Sequence, residues 1–260
     1  VLKSDAAVPV KSADRALAIV EFVASKGTAT FTEILEALSL PRSSAFGLLN
    51  TLVNSGWLDH DVRTKRYTLG LRAWQVGQMY SGHRDLAHLA KPVMDRLVGQ
   101  LGETVQLARL EGIENVYIAI SESPQPMRLA SSVGMRLHAH ATGIGKALLS
   151  MIDAEDSRTR LSSVALPRLT ERTVTDVDQL EGLIDEARRR GYAIDDEEFV
   201  SGCRCVAVPL LVSKDGDVVT AMSVTMPTSR TTGDWPANIL GPLRDAAEEI
   251  RAIISARSAN

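Results

Sequence analysis

Thr30-Phe-Thr-Glu-Ile-Leu-Glu-Ala-Leu38, Pro41-Arg-Ser-Ser-Ala-Phe-Gly-Leu-Leu-Asn-Thr-Leu52, Gly56-Trp-Leu58 and Asp59-His-Asp-Val-Arg-Thr-Lys-Arg-Tyr67 together decide the fold of the first part of this chain. The first two segments space their apolar residues at helical intervals, and the last reads as a basic β-hairpin. Two short helices followed by a hairpin are the order of a winged helix-turn-helix, whose second helix enters a DNA groove. Thr30 and Glu33 have capping-box spacing, and Pro41 suits a first helical turn because its missing N–H is not needed there. Ala45, Leu48, Leu49 and Leu52 give the second helix one apolar face. Arg42, Ser43, Ser44, Phe46 and Gly47 then lie on its N-terminal, outward side, where a recognition helix meets base edges and phosphates. Arg63, Lys65 and Arg66 place three cations within four residues of the hairpin. Taken alone they read as a solvated tip; after the helix pair they read as a wing that neutralises phosphates. Upstream, Ser12 is placed to cap a helix carrying Ala16, Ile19, Val20 and Val23 on one face.

At 260 residues the chain suits two domains rather than one. No apolar run approaches the roughly 18 residues that span a bilayer, and Val1–Val10 shows no secretory pattern. Cys203 and Cys205 are too close in sequence to make a useful staple, which points to a reducing cytoplasm. The net charge is −3, unevenly spread: residues 1–84 carry 10 Lys/Arg against 7 Asp/Glu, and the remainder 19 against 25. A mildly basic head precedes an acidic body, in keeping with a nucleic-acid partner for the head alone.

Beyond the hairpin, Leu71 to Gly77 is helical and Ser81-Gly82-His83 interrupts it. The expected organisation is a winged head over 1–70, a linker helix over 71–85 and a second domain over 86–260. In the latter, Leu89, Val93, Leu97 and Leu101 mark a helix over Leu86–Leu101. Strands are expected at Thr104–Leu110, Asn115–Ile120, Met127–Ser131, Arg204–Val212 and Val218–Met226. Further helices are expected at Gly143–Ser150, at Asp178–Arg190 closed by Gly191, and through Leu243, Ala246, Ala247, Ile250 and Ile254. This mixture indicates an α+β domain with a largely antiparallel sheet.

Catalytic and metal chemistry find little support. Gly143-Ile-Gly-Lys-Ala147 lacks the upstream glycine and the Ser/Thr of a phosphate loop. His138 and His140 have no carboxylate or cysteine at metal-ligand spacing, and Cys203-Arg-Cys205 lacks the redox spacing, so neither a metal nor a cofactor is expected. No nucleophile–base signature occurs, so the chain is not expected to be an enzyme. The glycine-rich start of a helix at Thr142–Gly145 would nonetheless expose backbone N–H groups to an anion. Alternation in Ala221-Met-Ser-Val-Thr225 puts Ser223 and Thr225 on one sheet face. Asp195 opens an acidic run, Asp195-Asp-Glu-Glu198, of a kind that is usually solvated.

The chain resembles the isocitrate-lyase-regulator (IclR) family of bacterial transcription factors. In the head the matching words are Ser12-Ala-Asp-Arg-Ala-Leu-Ala-Ile-Val-Glu21, Leu40-Pro-Arg-Ser-Ser44, Leu48-Leu-Asn-Thr-Leu52 and Lys65-Arg-Tyr-Thr-Leu-Gly70. In the body they are Gly134-Met-Arg-Leu-His-Ala-His-Ala-Thr-Gly-Ile-Gly-Lys-Ala-Leu-Leu149, Gly191-Tyr-Ala-Ile-Asp-Asp-Glu-Glu198 and Gly202-Cys-Arg-Cys-Val-Ala-Val-Pro209. Family members often carry a histidine or tyrosine followed by an arginine where this chain has Phe46-Gly47, so base preference does not transfer. The resemblance implies a GAF-like body that binds a small carboxylate effector, aromatic acids included, through Leu129, Leu137, Gly143, Ile144, Asp195, Cys205, Ser223 and Thr225. It also implies a homodimer or a dimer of dimers on double-stranded operator DNA, with no membrane partner, and leaves repression or activation open. Two rivals stand beside it. One is a small-molecule enzyme with an appended nucleic-acid-binding head; the other is a DNA-binding protein whose body is packed solid around Cys205 and Ser223.

Overall fold

In the computed structural model, which describes residues 10–79, 84–212 and 218–258, the chain divides into two units, Val1–Gly82 and His83–Asn260. The first unit opens with α1 (Lys11–Lys26), which buries Ile19 and Val23. Its N-cap position is Val10, and Asp14 N already donates to Val10 O at 3.0 Å. Ser12 therefore lies inside the first turn and does not cap the helix as its position suggested. After β1 (Ala29–Thr30), α2 (Phe31–Leu38) starts on the capping box: Glu33 N donates to Thr30 Oγ1 at 3.3 Å and Thr30 N to Glu33 Oε2 at 2.6 Å. Pro41 is the N-cap of α3 (Arg42–Asn54), one position earlier than expected.

The hairpin forms as β2 (Leu58–Asp61) and β3 (Arg66–Leu69). Strand β3 also pairs with the two-residue β1, which the sequence pattern did not reveal, giving the order β1-β3-β2. Ile19, Val23, Ile34, Leu49, Leu58 and Tyr67 make the core that holds α3 against the sheet. Helix α4 (Leu71–Met79) follows directly. Its start is tied down by Gly70 N to Trp57 O at 2.8 Å and Arg72 N to Gly56 O at 3.1 Å. A Cβ on Gly70 would lie 2.3 Å from Gly56 O, so only glycine permits this approach. The interruption at Ser81-Gly82-His83 lies outside the described residues.

The second unit comprises α5 (Arg84–Leu101), β4 (Thr104–Glu111), β5 (Glu114–Ser121), β6 (Arg136–His138), α6 (Gly143–Leu149), α7 (Ala154–Ser162), α8 (Val177–Arg190), β7 (Ala193–Asp196), β8 (Cys203–Val212), β9 (Val219–Pro227) and α9 (Ala237–Ser258). The strands form one antiparallel sheet in the order β6-β5-β4-β9-β8-β7. Helices α5 and α9 cover one face, where Met94, Leu97, Leu107, Met222, Val224, Leu243 and Ile250 interlock. Helices α6, α7 and α8 cover the other, with Ala108, Leu110, Tyr117, Ile144, Leu148, Leu161, Leu180 and Ile184. The architecture is thus a winged helix-turn-helix followed by an α+β domain with an antiparallel sheet.

In this unit one expected strand does not form and one helix appears where none was expected. Met127–Ser131 is loop, not strand; Pro124 and Pro126 remove two backbone donors just before it, and the edge of β5 is taken by β6 instead. Helix α7 was not foreseen, although Asp153 caps it, accepting from Glu155 N at 2.9 Å and Asp156 N at 3.2 Å. Helix α6 packs so closely on the 3-10 turn Ala139–Ala141 that a Cβ on Gly145 would sit 2.3 Å from the Ala139 Cα and carbonyl oxygen. Among the described residues no helix is long and apolar enough to cross a membrane.

Candidate functional site

In the first unit, Arg42, Ser43, Ser44 and Phe46 are all exposed on α3, as the helical spacing required. Between α3 and the hairpin runs a groove of about 960 Å³ lined by Phe31, Arg42, Phe46, His60, Val62 and Lys65. Its walls are stiffened by aromatic contacts: the Arg42 guanidinium lies 5.3 Å from the Phe31 ring centre, and His60 stacks on Tyr67 at 4.4 Å. The hairpin tip is fixed by Asp61, whose Oδ1 accepts from Arg63 N at 2.8 Å and Thr64 N at 3.2 Å. Hydrogen bonds from Thr64 and from the Arg63 and Thr64 amides hold the Asp61 carboxyl below the usual carboxylate range.

The three wing cations do not share one role. Arg63 and Lys65 are exposed at the tip. Arg66 turns back instead: its Nε donates to Thr28 Oγ1 at 3.0 Å, and its Nη2 lies 3.6 Å from Glu33 Oε2. It braces β3 against the start of α2.

In the second unit the strand register assembles a polar patch on the face covered by α6. Asp195 stands opposite Cys205, Cys205 opposite Thr225, and Thr225 opposite Thr104. One step along, Ala207 pairs with Ser223 and Ser223 with Gln106. Ser223 Oγ and Thr225 Oγ1 both donate to Gln106 Oε1, at 3.2 and 3.1 Å. Gln106 is fully buried, and its Nε2 has no partner among the described residues. An amide donor left unmade in a dry interior is costly, and such a group marks a place for a ligand or water.

Gly143 allows α6 to start directly on this patch, since a Cβ there would fall 3.1 Å from both Asp195 N and Cys205 Sγ. The N–H groups of that start are less free than the sequence suggested. Thr142 Oγ1 accepts from Gly145 N at 3.1 Å, and Ile144 N–H faces the Cys205 sulfur. Thr142 is itself a cap, and sheet register puts a thiol under the helix. Burial pushes the Cys205 thiol up to about 12, with Asp195 adding to the shift and hydrogen bonds from Thr225, Ser223 and Ile144 opposing it. Burial likewise raises Tyr117, whose phenol feels Cys205 and Asp195.

Asp195 is buried, not solvated as its acidic run suggested, with Oδ1 accepting from Glu198 N at 2.7 Å and Phe199 N at 3.3 Å. Burial raises its carboxyl to about 7, although Lys146 and the two amides pull it down. Lys146 and Glu198 form a buried ion pair alongside. Thus Gly143, Ile144, Asp195, Cys205, Ser223 and Thr225 come together. Leu137 lies on β6 and packs on the same apolar cluster as Ile144. Leu129 is half-buried in the loop tied down by Arg230 Nη1 donating to Met127 O at 2.9 Å, and belongs to neither apolar cluster. Sequence reasoning missed Gln106, Tyr117 and the Lys146–Glu198 pair. A glutamine set between Val105 and Leu107 in the expected strand Thr104–Leu110 was the available signal. His138 and His140 sit with ring centres 5.6 Å apart, and no group of three or more potential metal-ligating His, Cys, Asp or Glu residues occurs among the described residues.

Residues 78–252 match the family described as bacterial transcriptional regulator IclR C-terminal, and residues 12–62 match the IclR helix-turn-helix domain. The chain belongs to the IclR family. It is 36% identical over 222 residues to the HTH-type transcriptional repressor AllR of Klebsiella pneumoniae, covering 85% of this chain and 81% of that one. Among solved structures it resembles a transcriptional regulator from Rhodococcus sp. RHA1 at TM-score 0.78 and 28% identity, covering 95% and 99% of the two chains. It also resembles an IclR homologue from Microbacterium hydrocarbonoxydans complexed with 4-hydroxybenzoate, at TM-score 0.81 and 26% identity, covering 94% and 99%. This IclR-family chain is therefore a transcriptional regulator with a helix-turn-helix DNA-binding head, and the enzyme alternative falls away.

Proposed function

We propose that the protein is a repressor whose affinity for operator DNA is set by a small organic acid bound beneath α6 in the second unit. The observation that carries this reading is the buried polar patch of Gln106, Asp195, Cys205, Ser223 and Thr225, with the Gln106 amide donor unpaired among the described residues. A body packed solid for support alone would place apolar side chains at these positions, because each buried polar group costs free energy unless it is hydrogen-bonded. Few convergent polar groups within an apolar surround suit a small ligand. The 4-hydroxybenzoate bound by the Microbacterium relative supports an aromatic acid, and the curated relatives' role as repressors supports repression.

On the DNA side, Arg42, Ser43, Ser44 and Phe46 read the groove while Arg63 and Lys65 hold phosphates. One head covers a single half-site, so two heads act together in a homo-oligomer. Leu71, Trp74, Val76 and Met79, all exposed on α4, supply apolar surface for a second copy. The domain division at 1–70, 71–85 and 86–260 serves this scheme, the connector transmitting effector binding to head spacing. A mobility-shift titration tests it, using a duplex selected by the protein and 4-hydroxybenzoate beside a panel of short aliphatic acids. At least one acid should change operator affinity in the full chain and leave Gln106→Leu unaffected. Response of Gln106→Leu equal to wild type would move the ligand elsewhere.

A further inference from the structure

On α3, Ser43, Gly47 and Asn50 fall at i, i+4 and i+7 along the middle of the outward face, and Phe46 stands beside them on the side of the groove. Nothing among the described residues requires a glycine at 47. It is an ordinary helical residue, and a Cβ added there meets no atom within 4 Å. Glycine is among the poorest helix formers, so its presence weakens α3 without improving the packing. Phe46 is 61% exposed and has no place in the core of the head. The one cation of α3, Arg42, sits at its first position and leans over Phe31. The reading face is therefore flat, short and apolar on one side.

In the major groove the apolar feature that distinguishes one base pair from another is the 5-methyl group of thymine. We infer that Phe46 is a specificity-determining residue that packs on a thymine methyl, and that Gly47 lets the α3 backbone sink deep enough for the contact. Ser43 and Asn50 flank the contact with side chains short enough to reach base edges without holding the helix away. The inference rests on α3 being the reading helix.

The test uses the full chain and a duplex that it selects from a random pool. Each thymine is replaced singly by deoxyuridine, which removes only the 5-methyl group. At one thymine of each half-site, wild-type affinity should fall roughly fourfold, the effect of losing one buried methyl. Phe46→Ala should bind the selected duplex more weakly and respond no further to deoxyuridine, while Phe46→Leu should keep part of the discrimination. Gly47→Ala should raise the thermal midpoint of the head yet weaken binding to the selected duplex, a divergence that a purely structural glycine would not produce. Indifference of the wild type to every thymine replacement, or equal sensitivity of Phe46→Ala, overturns the inference. If Arg42→Ala still relaxes base preference in that case, α3 reads DNA and only the thymine contact fails. If Arg42→Ala also has no effect, the reading helix is misplaced as well.

Discussion

Asp195 and Cys205 face each other across β7 and β8, both buried beneath the start of α6, where the carboxyl is raised to about 7 and the thiol to about 12. At neutral pH the thiol keeps its proton and the carboxyl is about half protonated, so the patch carries less negative charge than an ordinary carboxylate would give it, which suits an incoming anion.

The raised Asp195 carboxyl has a consequence for stability. Between its ordinary value of 3.8 and its folded value of about 7, the folded chain keeps a proton that the unfolded chain has released. Its contribution is therefore complete below about pH 4 and is lost as pH rises through 7. Urea unfolding from pH 5 to 8 should show wild type losing stability relative to Asp195→Asn, with the gap levelling off above pH 7. Asparagine keeps the Oδ1 acceptor for the Glu198 and Phe199 amides, so the comparison isolates the proton. A carboxylate effector should likewise bind more tightly as pH falls toward 6.

Ser223 and Thr225 offer a cleaner probe of the proposed effector site than Ile144. The Ile144 side chain is sealed in an apolar cluster, so a charge there would unfold the domain before testing the ligand. Ser223→Ala and Thr225→Val instead remove single hydroxyls from the patch. Each hydrogen bond is worth about 1 kcal/mol, so effector affinity should fall roughly five- to tenfold per substitution. Calorimetric titration measures this, and operator affinity without effector should not change.

The wing variants should separate by role. Arg63→Ala and Lys65→Ala should each reduce the slope of log affinity against log salt by about 0.9, one phosphate contact apiece. Arg66→Ala should leave the slope nearly unaltered and lower the melting midpoint of the head, because its partners are Thr28 and Glu33. A full unit of slope lost with Arg66→Ala would mean that it releases its brace on DNA.

Lys146 and Glu198 should be strongly coupled. Their side chains are 3% and 10% exposed, so Lys146→Met strands a buried carboxylate at a cost of about 3–5 kcal/mol. The double variant Lys146→Met/Glu198→Leu should recover most of that loss in denaturant unfolding. Additive losses would show that the pair is not a unit.

The head was legible because its signals are local. Capping residues, helical spacing and a two-strand hairpin act within a few residues of one another, so the Thr30–Glu33 box and the outward row from Arg42 to Phe46 could be read directly. Ser12 failed as a cap because a helix start is a weak contest between neighbouring positions, decided by how the chain arrives. Similarly, Met127-Arg-Leu129 alternates apolar and polar residues as a strand does, but Met127–Ser131 holds no β-branched or aromatic residue and the edge it would need is filled by β6.

The proposed effector site divides along the same line. Sequence by itself determined the family words, the glycine-rich start of α6 and the shared face of Ser223 and Thr225, because these follow from residue identity and the alternation of a strand. Only the tertiary structure decided that Gln106 receives both hydroxyls, that Asp195 is buried, and that Arg66 turns inward to Thr28. Those relations join residues separated by 117, 119 and 38 positions in Ser223–Gln106, Thr225–Gln106 and Arg66–Thr28. Their energies depend on sheet register and on the exclusion of water, which no short stretch of sequence encodes.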